Sequence, residues 1–197
     1  MLKRSARFHT DRELVNLYKS RVLSYLEYRT PAVYHATSSV LQPLDKLQDR
    51  FLREAGVTPL EALMEFNLAP LATRRDIAML GLIHRAVLGK GPAQLQAFFV
   101  LDDNLGTYNT RLQSRRRNHG RQLKDPRRYT HLNAVRRSAL GLVAVYNLLP
   151  HTAVQHEAVK DFQKTLQELL KARAAEGHED WPETFSAGVP LWRHPLH

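Results

Sequence analysis

The chain has 197 residues, 43% of them hydrophobic, which is enough for a real core in one domain or in two small ones. It carries 29 Lys and Arg against 19 Asp and Glu, a formal net charge of +10 at pH 7. Cysteine is absent, which excludes disulfides and thiolate zinc sites and favours an intracellular compartment, whether nucleus or cytoplasm. No apolar run approaches the roughly 20 residues that span a bilayer, so we expect a soluble protein with no membrane partner.

Two amphipathic helices are predicted first. After a cap at Thr10 or at the aspartate that follows it, apolar residues recur at three- and four-residue steps until Pro31 closes the helix. This apolar stripe consists of Leu14, Leu17, Tyr18, Val22, Tyr25 and Leu26. A second stripe predicts a helix over 41–55, with Pro43 tolerated in its first turn and Gly56 in the left-handed position that ends it.

Two further helices follow before residue 100. Thr58 and Glu61 have the spacing of a capping box, which predicts a third helix that runs to about Asn67. A fourth helix is predicted over 71–88, where glycines and a proline at 89–92 stop it. Together these helices form a predicted helical domain over residues 1–100.

Asp102 and Asp103 follow one or two short turns predicted over 93–99. Such a pair can hold metal ions in a polymerase, but valine stands at the first motif position and no upstream strand is predicted to supply a third aspartate. We therefore expect the pair to end a helix and begin a turn. No His-Glu-x-x-His pattern, Gly-x-Ser-x-Gly elbow or phosphate loop occurs either, so we expect no catalytic residue, no metal site and no cofactor.

Most of the net charge lies in one segment, residues 111–137, which we call the basic window. It holds ten cations and a single acid, Asp125, for a formal +9, whereas the other 170 residues hold 19 basic and 18 acidic side chains. Cations this dense repel one another unless phosphates neutralise them, which makes RNA, DNA or an RNA–DNA hybrid the leading partner. The candidate nucleic-acid-binding residues are Arg111, Arg115, Arg116, Arg117, Arg121, Lys124, Arg127, Arg128, Tyr129, Arg136 and Arg137.

The aromatic members of the basic window leave alternatives open. Tyr129 can stack on a base, and His119 and His131 can stack, bind a phosphate or lie in solvent. The competing interpretation of the whole segment, predicted as a basic loop or linker over 101–137, is a solvated loop or one that meets an acidic protein surface.

The last part of the chain is again helical by its spacing. Residues 139–146 fit either a helix or a buried strand, and we favour the helix. After Pro150, the clearest helical pattern starts near Val159 and ends near Gly177, which gives a predicted C-terminal helical hairpin over 138–177. The remainder, 178–197, is predicted to be an extended tail. The predicted fold is therefore all-α: a helical bundle with a basic loop and a C-terminal helical hairpin.

Several segments resemble one family. LYKSRVLSYLEYRTPA at 17–32 and LDKLQDRFLR at 44–53 resemble the region just after the palm in reverse transcriptases of non-LTR retrotransposons. LAPLATRRD at 68–76 is similar to the helix start that follows there, and VYNLLP at 145–150 with VKDF at 159–162 resembles the W-N-x-L-P and F-K ending of those polyproteins.

The resemblance implies a thumb-like helical region over 1–100 and a C-terminal extension that grip template and primer. It also implies that the catalytic aspartates lie upstream, so that this chain is not an enzyme and its partners include missing palm and fingers domains. Tyr146 departs from the pattern, since many relatives have Trp there, and the downstream Cys and His knuckle and a nicking endonuclease domain are missing. The alternative is a helical protein-interaction domain or a decayed retroelement fragment without independent activity.

Overall fold

The computed structural model describes residues 9–102, 118–126 and 132–197, and these are mostly helical. Their β pairing is limited to an isolated antiparallel bridge between Leu101 and Leu123. The predicted all-α fold is confirmed. The chain divides into two compact units, residues 1–75 and 76–197. The division falls inside the fourth predicted helix, whereas the loop residues predicted a boundary near residue 100.

The helices are numbered here in chain order. They are α1 (Asp11–Tyr18), α2 (Ser24–Tyr28), α3 (Thr30–Val33), α4 (Ser38–Ala55), α5 (Pro59–Phe66), α6 (Leu71–Val87), α7 (Ala93–Gln96), α8 (Asn133–Arg137), α9 (Val143–Leu148), α10 (His151–Val154) and α11 (Val159–Ala175). A π-helical segment, Lys19–Leu23, joins α1 to α2, and 3-10 turns occupy Ala139–Leu142, Trp181–Glu183 and Leu191–Arg193. Within the described ranges, no helix combines the length and apolar composition needed to cross a membrane.

Capping boxes start α1 and α5, as the sequence predicted for α5. The Glu13 amide donates to the Thr10 hydroxyl, and the Thr10 amide donates back to the Glu13 carboxylate at 2.8 Å. Thr58 and Glu61 repeat this arrangement, again with a 2.8 Å bond from amide to carboxylate. The bonds from each threonine lower the pKa of both glutamates, because they stabilise the ionised carboxylate.

Two prolines lie elsewhere than predicted. Pro31 was expected to close the first helix, but it lies in the first turn of α3, where its missing N–H costs nothing. Helix α4 begins at Ser38, so Pro43 falls in the second turn instead of the first. Its end is as predicted, with Gly56 in the left-handed conformation at φ 71°.

The buried stripe of the first helical stretch changes register at the π-helical segment. Sequence spacing placed Tyr25 on this stripe, because it lies two α-helical turns after Tyr18. In the structure the buried positions pass from Tyr18 to Leu23 and then to Thr30, and Tyr25 is 57% exposed. A π-helical turn holds one more residue than an α-helical turn, so the stripe moves by one residue. The assignment of Tyr25 to the apolar face was wrong for this reason.

The core of the first unit is built around two stacked rings. Tyr18 lies on Phe51 with ring centroids 4.2 Å apart, and burial raises the pKa of Tyr18 to about 12. Gln48 is buried and donates from its amide to the Ala69 carbonyl at 2.9 Å. The buried apolar residues around them are Leu14, Val15, Leu23, Leu52, Val57, Ala62, Leu68 and Leu71.

The core of the second unit includes part of the segment predicted as an extended tail. Trp181, Thr184 and Phe185 are buried, and the 3-10 turn that begins at Trp181 packs beside α11. The structure contradicts the prediction for 178–197, since these residues fold back onto the unit. The other large buried side chains of this core are Leu80, Ile83, Leu142, Tyr146, Leu149, Phe162, Leu166 and Leu170.

Candidate nucleic-acid interface

The structure describes the middle and the end of the basic window. Residues 118–126, which we call the anchor segment, and α8 are described, and they carry Arg121, Lys124, Arg136 and Arg137. The remaining predicted contacts lie outside the described residues, as does His131. These are Arg111, Arg115, Arg116, Arg117, Arg127, Arg128 and Tyr129.

Asn147 of α9 forms two hydrogen bonds with the backbone of the anchor segment. The Leu123 amide donates to Asn147 Oδ1 at 2.8 Å, and Asn147 Nδ2 donates to the Leu123 carbonyl at 2.8 Å. Leu123 itself is buried. The antiparallel bridge adds two backbone bonds, from Lys124 to Val100 at 3.0 Å and from Asp102 to Gln122 at 2.8 Å. The prediction that Asp102 ends a helix was wrong, because it directly follows the bridge residue Leu101, and Asp103 lies outside the described residues.

The anchor segment also caps the C-terminus of α9. The last carbonyls of an α-helix lack partners within the helix and need donors from elsewhere. Here Asn118 donates to the Leu148 carbonyl at 2.7 Å, and Gln122 donates to the Asn147 carbonyl at 2.9 Å. His119 Nε2 donates to a third carbonyl, that of Tyr146, at 2.9 Å. The anchor segment is thus fixed by uncharged donors whose partners lie in one helical turn.

His119 corrects an expectation. The sequence left it to stack on a base, bind a phosphate or lie in solvent, but it is buried, with its ring edge-on to Tyr146. Its Nδ1 accepts a bond from the Arg121 amide at 3.2 Å, so the neutral ring carries its proton on Nε2. Burial lowers the pKa of His119, because it disfavours the charged ring.

Arg121 has a role that the sequence did not assign. Its Nη1 donates to the Val154 carbonyl at 2.6 Å and to the His156 carbonyl at 3.3 Å. Val154 is the last residue of α10, so this guanidinium satisfies a helix C-terminus. By contrast, Lys124, Arg136 and Arg137 are exposed. Of the four described cations of the basic window, one therefore stabilises the fold and three are exposed to solvent.

A second buried histidine completes the same core. His84 Nε2 donates to the His156 carbonyl at 2.8 Å, since a carbonyl can only accept. The neutral ring then accepts at Nδ1 from the Tyr146 hydroxyl at 2.9 Å. His84 lies three and four residues from the buried Leu80 and other apolar residues of α6, and a polar ring at such a position signals a buried hydrogen-bond partner. The sequence alone does not identify this hydrogen-bond partner.

His84, His119 and Tyr146 form a buried hydrogen-bonded cluster that supports the fold. Both imidazoles are buried and have both ring nitrogens engaged, so neither presents a free base to a substrate. Burial lowers the pKa of His84 as it does that of His119. In the parts of the chain that the structure describes, no three His, Asp or Glu side chains converge in a way that could hold a metal ion.

No protein-family model, curated protein or solved structure matches the chain significantly. The resemblance to non-LTR retrotransposon reverse transcriptases therefore stays a prediction. So do the thumb-like character of residues 1–100 and the missing palm and fingers partners.

Proposed function

We propose that this chain is a non-catalytic nucleic-acid-binding module that holds a phosphate backbone through the basic window. The observation that supports this most is the charge itself, ten cations against one acid over 111–137. A polyanion relieves their mutual repulsion and releases its condensed counterions on binding.

One cation of the basic window has another role in the fold. Arg121 is taken up by backbone carbonyls, which leaves nine cations of the basic window. They form an upstream flank of four arginines before the anchor segment, Lys124 on it, and a downstream flank of four arginines after it. The flanks are residues 111–117 and 127–137. With about five of these cations on phosphates, log affinity should fall against log salt with a slope near −3.5 for a single strand and −4.5 for duplex DNA.

The test is fluorescence anisotropy of the purified protein with a labelled RNA–DNA hybrid and a labelled single strand across a salt titration. We expect binding with the slopes above and its loss when Arg115, Arg116 and Arg117 are all changed to Glu. The matched control changes Lys46, Arg50 and Arg53 to Glu, three exposed cations of α4 and the same change in net charge. Equal losses in both variants would show that net charge alone governs binding and would contradict the proposal.

A protein-interaction module is the second candidate, and exposed apolar side chains favour it. Phe98 is 61% exposed, and Val100 and Leu101 beside it are exposed as well. Phe162 and Leu166 of α11 are buried core residues and offer no surface for association. Sedimentation velocity of the wild type and of Phe98→Ser tests this candidate. A dimer that dissociates in the variant, with no nucleic-acid binding in the wild type, would favour it over our proposal.

A further inference from the structure

An aromatic and cationic face lies on α2, far along the chain from the basic window. Tyr28 is 86% exposed and Tyr25 more than half exposed, whereas tyrosine is on average intermediate in burial. Arg21 and Arg29 lie about one helical turn before and after Tyr25, and both are exposed. We call Arg21, Tyr25, Tyr28 and Arg29 the tyrosine face.

The exposure of this face follows from the local backbone. The π-helical segment before α2 shifts the buried stripe by one residue and thereby moves Tyr25 out of the core register. Such single-turn π segments are rare and occur often at functional sites. The ring is also positioned, because the Arg29 guanidinium lies over it at 4.7 Å from the centroid.

The acid of α2 is paired with a cation outside this face. Glu27 is the acidic residue within α2, and its Oε1 accepts a bond from Arg74 Nε, so that pair is internally balanced. Arg21 and Arg29 are both exposed. The face therefore presents two exposed rings and two exposed cations, which is complementary to a strand with an anionic backbone and flat bases.

We propose that the tyrosine face is a stacking platform for unpaired bases of a single-stranded nucleic acid. This inference rests on the proposed function and adds the class of ligand: a strand whose bases are free to leave their own stack. Tyr25 and Tyr28 stack on successive bases while Arg21 and Arg29 meet the phosphates between them, as in proteins that combine aromatic rings with a cationic track. A duplex offers no such bases, so the platform favours single strands over duplexes.

The test uses the full chain and a single strand that contains 2-aminopurine, whose fluorescence is quenched by stacking, with a matched duplex beside it. In the wild type we expect quenching on the single strand. In the Tyr25→Ala, Tyr28→Ala double variant we expect the quenching to disappear and the single-strand Kd to rise about 5- to 150-fold for each base that loses its ring. The duplex Kd should not change.

Three controls separate stacking from other effects. The double Tyr→Phe variant keeps both rings and should keep the quenching. Val40→Ala with Leu60→Ala removes two other exposed apolar side chains of the same unit and should leave the Kd unchanged. Far-UV circular dichroism melts of all variants identify any loss of folding.

The outcomes also separate this inference from the proposed function. Salt-dependent single-strand binding that is unaffected by the double alanine variant would overturn the platform and leave the proposed function standing. No binding of any nucleic acid by the folded wild type would overturn both. If the double variant changed only the sedimentation coefficient, by abolishing a dimer, the face would be a protein interface and the platform would be wrong.

Discussion

The imidazole of His84 lies flat against the ring of Phe162, with ring centroids 4.1 Å apart and planes 8° apart. The same imidazole is fully buried in the second unit and hydrogen-bonded at both nitrogens, an arrangement that favours its neutral form. The free energy of unfolding of this unit should therefore depend on pH.

Stability should fall as the pH drops below about 6.5. Burial lowers the folded-state pKa of both His84 and His119 from 6.5, so the unfolded chain binds more protons in this range. Their contribution is fully present above the unfolded pKa and is lost as the pH falls through the folded values, with a slope of up to about 1.4 kcal/mol per pH unit for each ring. Urea denaturation between pH 8 and pH 4.5 measures it. His35→Gln, an exposed control, should keep the slope, and a flat profile in the wild type would contradict the assignment.

Tyr146→Phe should destabilise the protein by about 1–3 kcal/mol. The change deletes the hydroxyl that donates to His84 Nδ1 at 2.9 Å and leaves a buried acceptor without a partner. Chemical denaturation gives the free energy of unfolding. The same deletion at exposed Tyr28 is the control and should have little effect on this free energy, and similar losses at both positions would argue against a special role for the buried bond.

Gly141→Ala should destabilise the protein by about 1–3 kcal/mol or more. A Cβ at Gly141 would lie 1.9 Å from the Arg136 carbonyl oxygen, so backbone must move to admit it. Gly120 offers the matched control, because a Cβ there meets nothing within 4 Å. Thermal melts should show a clear drop in Tm for Gly141→Ala and almost none for Gly120→Ala.

Arg121 and Lys124 should separate folding from binding. Arg121→Ala removes the donor to two carbonyls and should lower the free energy of unfolding by about 1–3 kcal/mol. Lys124→Ala should leave this free energy unchanged but weaken nucleic-acid binding. The slope of log affinity against log salt should become shallower by about 0.7 to 0.9, the contribution of one phosphate contact. Denaturation and anisotropy on the same two variants check both halves, and the opposite pattern would mean that the two roles are reversed.

Asn147→Ala should loosen the anchor segment without unfolding the chain. It deletes both bonds to the Leu123 backbone, each 2.8 Å long. At about 1 kcal/mol for each bond, exchange of the Leu123 amide hydrogen should become about 10- to 30-fold faster. Hydrogen exchange with mass spectrometry reads this directly, with exposed Asn133→Ala as the control. Unchanged exchange at Leu123 would mean that the antiparallel bridge and the other bonds of the segment hold it without Asn147.

Features that depend on near neighbours could be predicted from the sequence. The capping box of Thr58 and Glu61 closes over four residues, and Gly56 ends α4 because its own backbone permits φ 71°. Tyr25 was misplaced because the π-helical register depends on which residue the rest of the unit can bury, and that choice favours Leu23. The folded tail was missed for a related reason, since Phe185 is buried and the 3-10 turn before it packs against α11, which local sequence does not reveal.

The candidate site shows the same limit. Composition could locate the basic window but not rank its members, because the carbonyls that engage Arg121 and His119 belong to residues 27 to 35 positions away. An arginine that caps a helix and an arginine that is exposed to a phosphate have the same local sequence signature. Only the fold distinguishes them.

The clamp that Asn147 places on Leu123 has a kinetic consequence under the proposed function. It fixes a segment that lies, in the sequence, between two groups of four arginines, so we expect a bound strand to be held by two separate groups of cations. The bound strand dissociates completely only when both groups of cations have released it at the same time, whereas a competing strand can bind to one group as soon as that group is released. Handover between strands should therefore quicken as free strand is added, and the protein would pass nucleic acid along instead of simply letting go.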